Sequence, residues 1–160
     1  MATDDDLRRR RLAVLEVHFQ SEVDHDWDAC LGTFKDVPRY EIVPTGGSEV
    51  HEGRDAVRAC HVAQRRAFPT SATSTSIHVA DDDTIVTEFD LLGTNTGPFA
   101  EPRADGQALP RAGVAVFTFD GDRITSERVY LGVASLVQQI GRAELLPLVG
   151  VEGFAAARMR

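Results

Sequence analysis

A chain of 160 residues is long enough for one domain with a real core, and its net charge of −8 argues against nucleic acid or an anionic membrane as the main partner. A hydrophobic fraction of 42% beside 26% charged residues is ordinary for a soluble globule. No apolar run approaches the ~20 residues of a membrane span, and no apolar signal core follows the N-terminus, so the expected compartment is the cytoplasm. Cys30 and Cys60 lie among apolar neighbours in helical patterns and read as reduced, buried thiols; no zinc-type Cys/His spacing exists.

Asp4, Asp5 and Asp6 suit the start of a helix, where acidic side chains meet free amides and the positive end of the dipole. Arg8 to Arg11 then read as an exposed first turn. Leu7, Leu12, Leu15, Phe19 and Val23 recur at helical spacing, with His18 at the margin of the stripe. Asp26-Trp27-Asp28 opens a short second helix through Ala29, Leu31 and Phe34, which Pro38 is expected to end. A strand at Tyr40-Glu41-Ile42-Val43-Pro44 and a turn at Thr45-Gly46-Gly47 follow. Gly53 permits a bend into a third helix running to about Phe68, on which Val57, His61, Gln64 and Phe68 share a face.

Strands are expected at 74–80 and 84–94, split by Asp81-Asp82-Asp83. In the second, Glu88 and Asp90 share a face with Val86 and Leu92; the residues alone favour a solvated outer stripe over a polar site. Residues 95–110 form a loop rich in Gly and Pro, of a length that often covers ligand sites. Beyond it, a run ending in Val116-Phe117-Thr118-Phe119 and a run from Arg123 flank Asp120-Gly121-Asp122, a strong hairpin signal. In the second run Thr125, Glu127, Val129 and Leu131 share one face and Ile124, Ser126, Arg128 and Tyr130 the other. Neither is purely apolar, so periodicity leaves open which face looks inward. A helical close ends near Gly141, and an apolar tail follows. The order gives an α+β fold: a strongly curved antiparallel sheet in a cone, with three helices on its concave face.

Several motifs in order carry a family resemblance. They are His25-Asp26-Trp27-Asp28, His51-Glu52-Gly53-Arg54-Asp55-Ala56-Val57-Arg58, Gly93-Thr94-Asn95-Thr96-Gly97-Pro98-Phe99, the Val116–Ile124 hairpin, Glu127-Arg128-Val129-Tyr130, and Leu136-Val137-Gln138-Gln139-Ile140-Gly141. Over residues 12–141 the chain resembles the SnoaL-like polyketide cyclases of the nuclear-transport-factor-2-like, or cystatin-like, superfamily, which also holds ketosteroid isomerases, limonene-epoxide hydrolases and scytalone-type dehydratases. The resemblance implies a domain over 1–141, with an extension at 142–160 packing on it or on a dimer partner. It implies cofactor-free proton transfer in an apolar cone, no metal, a small hydrophobic metabolite as ligand, and a homodimer. The isomerase tyrosine position matches His18, the isomerase base falls on Ile42, the last-strand aspartate on Val129, and a loop histidine on Asn95. Tyr40, Asp90 and Glu127 retain family residues, although the arginine expected two residues before Asp90 is Glu88. By resemblance, positions 127, 129 and 131 point into the cone, and Glu88 and Asp90 face the same cavity.

The expected catalytic set is Glu127 and Asp90 as acid and base, with His18 and Tyr40 as hydrogen-bonding partners. The expected substrate-binding set is Trp27, Ile42, His61, Phe68, Glu88, Phe117, Val129 and Leu131. Three activities remain open: a cyclase or isomerase on a polyketide- or terpenoid-like substrate, an epoxide-opening enzyme, and a non-catalytic binder of a hydrophobic metabolite. An alternative for Glu127 is a structural pair with Arg111 or Arg128.

Overall fold

The acidic run Asp4 to Asp6 is the first turn of a 21-residue helix, α1 (Asp4–Asp24). The computed structural model describes residues 4–43, 49–67, 69–79, 81–93 and 109–132. Arg11 departs from the expected exposed turn. It is 5% exposed, donates to the Gly121 carbonyl at 2.7 Å and the Asp83 carboxylate at 3.0 Å, and stacks on the Phe119 ring. One guanidinium thereby ties α1 to two turns, which its fixed fork of donors permits. His18 lies at the centre of the buried stripe, with no exposure at all.

The second helix, α2 (Trp27–Gly32), is capped by the Asp26 carboxylate, which accepts from the Ala29 amide at 3.0 Å; such a cap contributes about 1 kcal/mol. It ends earlier than Pro38. The Thr33 hydroxyl donates to the Cys30 carbonyl at 2.6 Å, and Phe34 begins a strand, β1 (Phe34–Val43). Pro38 sits inside that strand where the pairing register shifts between Phe34 and Arg39. A proline is tolerated where the ladder is already interrupted. The segment read as leading into a bend forms β2 (Glu49–Glu52), antiparallel to β1. Gly53, at φ 87°, turns the chain into α3 (Arg54–Ala67).

The remaining strands are β3 (Thr70–Val79), β4 (Thr84–Gly93), β5 (Leu109–Asp120) and β6 (Arg123–Leu131). The six form a curved mixed sheet in the order β2-β1-β6-β5-β4-β3. All neighbours are antiparallel except β1 and β6, which run parallel. The expected purely antiparallel sheet is corrected in that one pair: β6 returns beside a strand far earlier in the chain.

The core joins Leu15 of α1, Leu31 of α2, and Val57 and Cys60 of α3 to Phe34, Tyr40, Ile42, Ile85, Ala115, Phe117, Phe119, Ile124 and Val129 of the sheet. All three helices therefore cover one face. A bulge decides which side of β6 joins them. Thr118 pairs with Ser126 but Phe119 with Ile124, so Thr125 is an extra residue on β6. The extra residue breaks strict alternation, and Ile124, Glu127 and Val129 are all buried. The turn at 45–47, the 95–110 loop apart from its two final residues, the closing helix and the tail at 142–160 lie outside the described residues, as do Phe68, Asn95 and Phe99.

Candidate functional site

The helical repeat of α1 places His18 and Glu22 one turn apart on the covered face. Around the His18 ring stand Phe19, Phe34 and Phe117, each edge-on at centroid distances of 5.4 to 5.8 Å. Its Nδ1 lies 3.0 Å from Thr33 Oγ1 and 3.7 Å from Cys30 Sγ. Its Nε2 lies 3.2 Å from Glu127 Oε2 and 4.0 Å from Glu22 Oε1. Glu127 is 4% exposed, and neither Nε2 nor Oε2 completes an aligned hydrogen bond among the described residues.

Glu22 is the second carboxylate of the cluster. Its oxygens approach His61 Nδ1 at 3.3 Å and Arg65 at 3.8 Å. His61 is packed between two rings: Trp27 lies nearly parallel to it at 5.6 Å, and Tyr40 is tilted at 4.6 Å. The Tyr40 hydroxyl accepts a hydrogen bond from Gln64 at 3.4 Å.

Burial governs the electrostatics. It raises the Glu127 carboxyl above its usual range; His18 pulls it back in part, and Glu22 adds a smaller upward push. Burial disfavours the His18 imidazolium, but contacts with Cys30 and Glu127 outweigh that and leave its pKa well above the usual value. Burial lowers His61 to about 4 despite the Glu22 charge, so its ring is neutral at pH 7. Glu22 would be raised by burial, but His61, His18 and Arg65 bring it below its usual value. Tyr40 is raised well above its ordinary value by burial, then by Glu127 and Glu22, and stays a neutral phenol. Cys30 is likewise raised by burial.

The structure brings His18, Tyr40, Ile42, His61, Phe117, Glu127 and Val129 together on the covered face, with Trp27 and half-buried Leu131 at its border. It does not bring Glu88 or Asp90 there. On β4, Ile85 and Thr87 are buried while Glu88 and Asp90 are exposed, and Glu88 pairs with His78 at 3.0 Å. The face implied for them by resemblance is corrected: strand alternation sends them to the opposite side of the sheet. The substrate-binding expectation for Phe68 lies outside the described residues. The suggested Arg128 partner for Glu127 is also excluded, because Arg128 bonds Glu41 on the outer face at 3.1 Å. Four contributors escaped the sequence reading: Glu22, Cys30, Thr33 and Arg65. Only Glu22 had a signal, its i, i+4 spacing from His18 on an apolar stripe.

Two groupings among the described residues offer metal-ligand atoms within 4.8 Å of one another, His18–Glu22–Cys30 and Glu22–His61–Glu127. Each grouping joins residues from more than one element, which chain spacing alone could not reveal.

Residues 17–140 match the model of the SnoaL-like polyketide cyclase family. A comparison with curated proteins gave no match. Among solved structures, the chain is similar to a phenazine biosynthesis-related protein from Pseudomonas aeruginosa, with TM-score 0.68 and 16% identity over 86% of this chain and 89% of that one. It is similar to the epoxide hydrolase/cyclase-like enzyme SalBIII, described in pyran ring formation in polyether salinomycin, with TM-score 0.66 and 21% identity over 83% and 97%. A protein of ketosteroid isomerase-like fold from Catenulispora acidiphila, in complex with trimethylamine, gives TM-score 0.66 and 15% identity over 80% and 92%. At these identities the likeness establishes the fold alone.

Proposed function

Because the chain belongs to the SnoaL-like polyketide cyclase family, we propose that it is a cofactor-independent cyclase or isomerase acting on a polyketide- or terpenoid-like substrate. The observation that carries this reading is the Glu127–His18 pair, 3.2 Å apart and buried. Burial raises the Glu127 carboxyl, and a carboxyl group with a raised pKa is suited to give a proton to a substrate oxygen and take one back from carbon. Tyr40 donates a hydrogen bond to a developing oxyanion, and Ile42, Phe117, Val129 and Leu131 supply apolar contact, with Trp27 and neutral His61 at the border. Ile42 and Val129, where relatives are expected to carry acid or base groups, are register partners one same-face step from Tyr40 and Glu127. The proton chemistry is thus shifted along the ladder rather than lost.

A second reading is epoxide opening by water or an internal hydroxyl, supported by the likeness to SalBIII. It needs an acid for the epoxide oxygen and a base for the nucleophile, and the same pair serves. A screen of carbonyl and epoxide substrates separates the two readings; a tight complex with unchanged ligand would make the protein a binder instead. We also place the protein in the cytoplasm as a homodimer, as the family resemblance implies. A monomer by light scattering at micromolar concentration would refute the dimer.

The decisive test is single-turnover rate in Glu127→Gln, which keeps size while abolishing titration. Loss of a general acid or base costs 10²–10⁴-fold; a folded variant within about threefold of wild type would overturn the assignment. Turnover should also survive exhaustive chelation, and restoration by one metal after chelation would do the same damage.

A further inference from the structure

The Thr33 hydroxyl stands between two partners, 2.6 Å from the Cys30 carbonyl oxygen and 3.0 Å from His18 Nδ1. A hydroxyl has one proton. Two oxygens at that separation are an ordinary O–H···O bond if the proton lies between them and a repulsive contact if it does not. The proton therefore goes to Cys30, and only the oxygen lone pairs of Thr33 face the imidazole. We infer that Thr33 is a positioning residue that pins a proton on His18 Nδ1, leaving Nε2 to share a single mobile proton with Glu127 Oε2. This deepens the proposed function and rests on the Glu127–His18 pair as proton carrier.

With Nδ1 occupied, a neutral His18 presents a bare Nε2 lone pair toward Glu127. An ionised Glu127 would then set lone pair against lone pair at 3.2 Å, where neither atom has another hydrogen-bond partner among the described residues. One proton between them removes that conflict. The surrounding groups agree. From α1, the Glu22 carboxylate lies 4.0 Å from Nε2, itself held by His61 and Arg65 of α3. From α2, the Cys30 thiol is a weak second acceptor for Nδ1. From β1, Tyr40 faces Glu127 as a neutral phenol. Without the Thr33 hydroxyl, the ring is free to take the other tautomer, with Nε2–H toward an ionised Glu127, and the mobile proton is gone.

The test uses the full chain with ¹⁵N-labelled histidine, and long-range ¹H–¹⁵N spectra identify which ring nitrogen of His18 carries hydrogen. His18→Gln assigns the signal. In wild type the fixed proton should be on Nδ1 throughout the neutral range. Thr33→Val, nearly isosteric, should move it to Nε2 and lower the alkaline limb of the rate profile by about one unit, the size expected for one hydrogen bond to a charged group. Thr33→Ser should restore both. A wild-type Nδ1 without hydrogen overturns the inference, and it does so even if Thr33→Val fails to fold. So does a folded Thr33→Val with wild-type tautomer and limb, or a Ser variant that restores neither. A protein inert on every cyclase, isomerase and epoxide substrate, yet showing the Thr33-dependent tautomer, would sink the proposed function and support the proton assignment.

Discussion

Tyr40 lies directly across the parallel β1–β6 ladder from Glu127, with both side chains on the covered face. Burial and the two nearby carboxylates keep the phenol protonated, so it can donate to substrate at any physiological pH. Tyr40→Phe removes one hydrogen bond at little cost in packing. Single-turnover rate should fall about tenfold with an unchanged melt, since roughly 1 kcal/mol of lost stabilisation is a factor of five to ten. A variant at wild-type rate would limit Tyr40 to packing against His61.

Asp90→Asn should leave turnover within about twofold of wild type, because the residue is exposed on the face opposite the Glu127–His18 pair. Parallel assays of Asp90→Asn and Glu127→Gln decide between the two carboxylates. A large loss in the Asp90 variant alone would mean that the chemistry sits on the outer face.

Acid should destabilise the protein through His61. Its folded pKa is lowered to about 4 from 6.5, so between those values the unfolded chain binds the extra proton and stability rises with pH. The contribution is intact above about 6.5 and lost progressively as pH falls to 4. The shift corresponds to about 3 kcal/mol at most. His18 acts in the opposite sense: its raised pKa stabilises fully below its ordinary value and fades as pH rises through the folded one. The contributions separate in the difference between wild type and His61→Asn: the variant should lie below wild type near pH 7, where it loses only packing, and the gap in urea midpoint should close as pH falls toward 4.5. Parallel pH curves would refute the assignment.

Gly113 leaves room for a ring. A methyl added there would meet Phe89 Cζ at 2.5 Å and the Tyr130 carbonyl at 3.0 Å, and neither a packed ring nor a strand backbone yields easily. Gly113→Ala should cost 1–3 kcal/mol, the range for an overpacked core, read as a lower melting temperature. Phe89→Leu in the same chain should recover part of it.

Much of the fold is legible locally. The acid-led first helix, the Asp26 cap and the Asp120-Gly121-Asp122 hairpin each depend on a few adjacent residues. Pro38 misleads because its helix-ending rule applies only if a helix reaches it, and the Thr33 hydroxyl closes α2 first. The face of Glu127 was not readable from alternation, since the extra residue Thr125 resets the parity of β6. For Glu88 and Asp90 the residues alone pointed outward, as the structure has them, and the family resemblance pointed inward. Both side chains are exposed, which avoids the cost of burying a charge. The His18 cluster joins six elements, so only the His18–Glu22 spacing on α1 could have announced it.

The parallel seam between β1 and β6 also makes β6 the strand that joins two parts of the sheet. Until β6 is available, β2-β1 and β5-β4-β3 are separate half-sheets, each with an open edge where β6 will dock. His18 lies on α1 and Glu127 on β6, so their contact waits until β6 has docked. Pairing strands so distant in sequence is slow relative to local hairpins, and exposed edges invite association during the delay. The strand that brings Glu127 to His18 is also the one that joins the two halves of the sheet, so no species without β6 in place holds that pair.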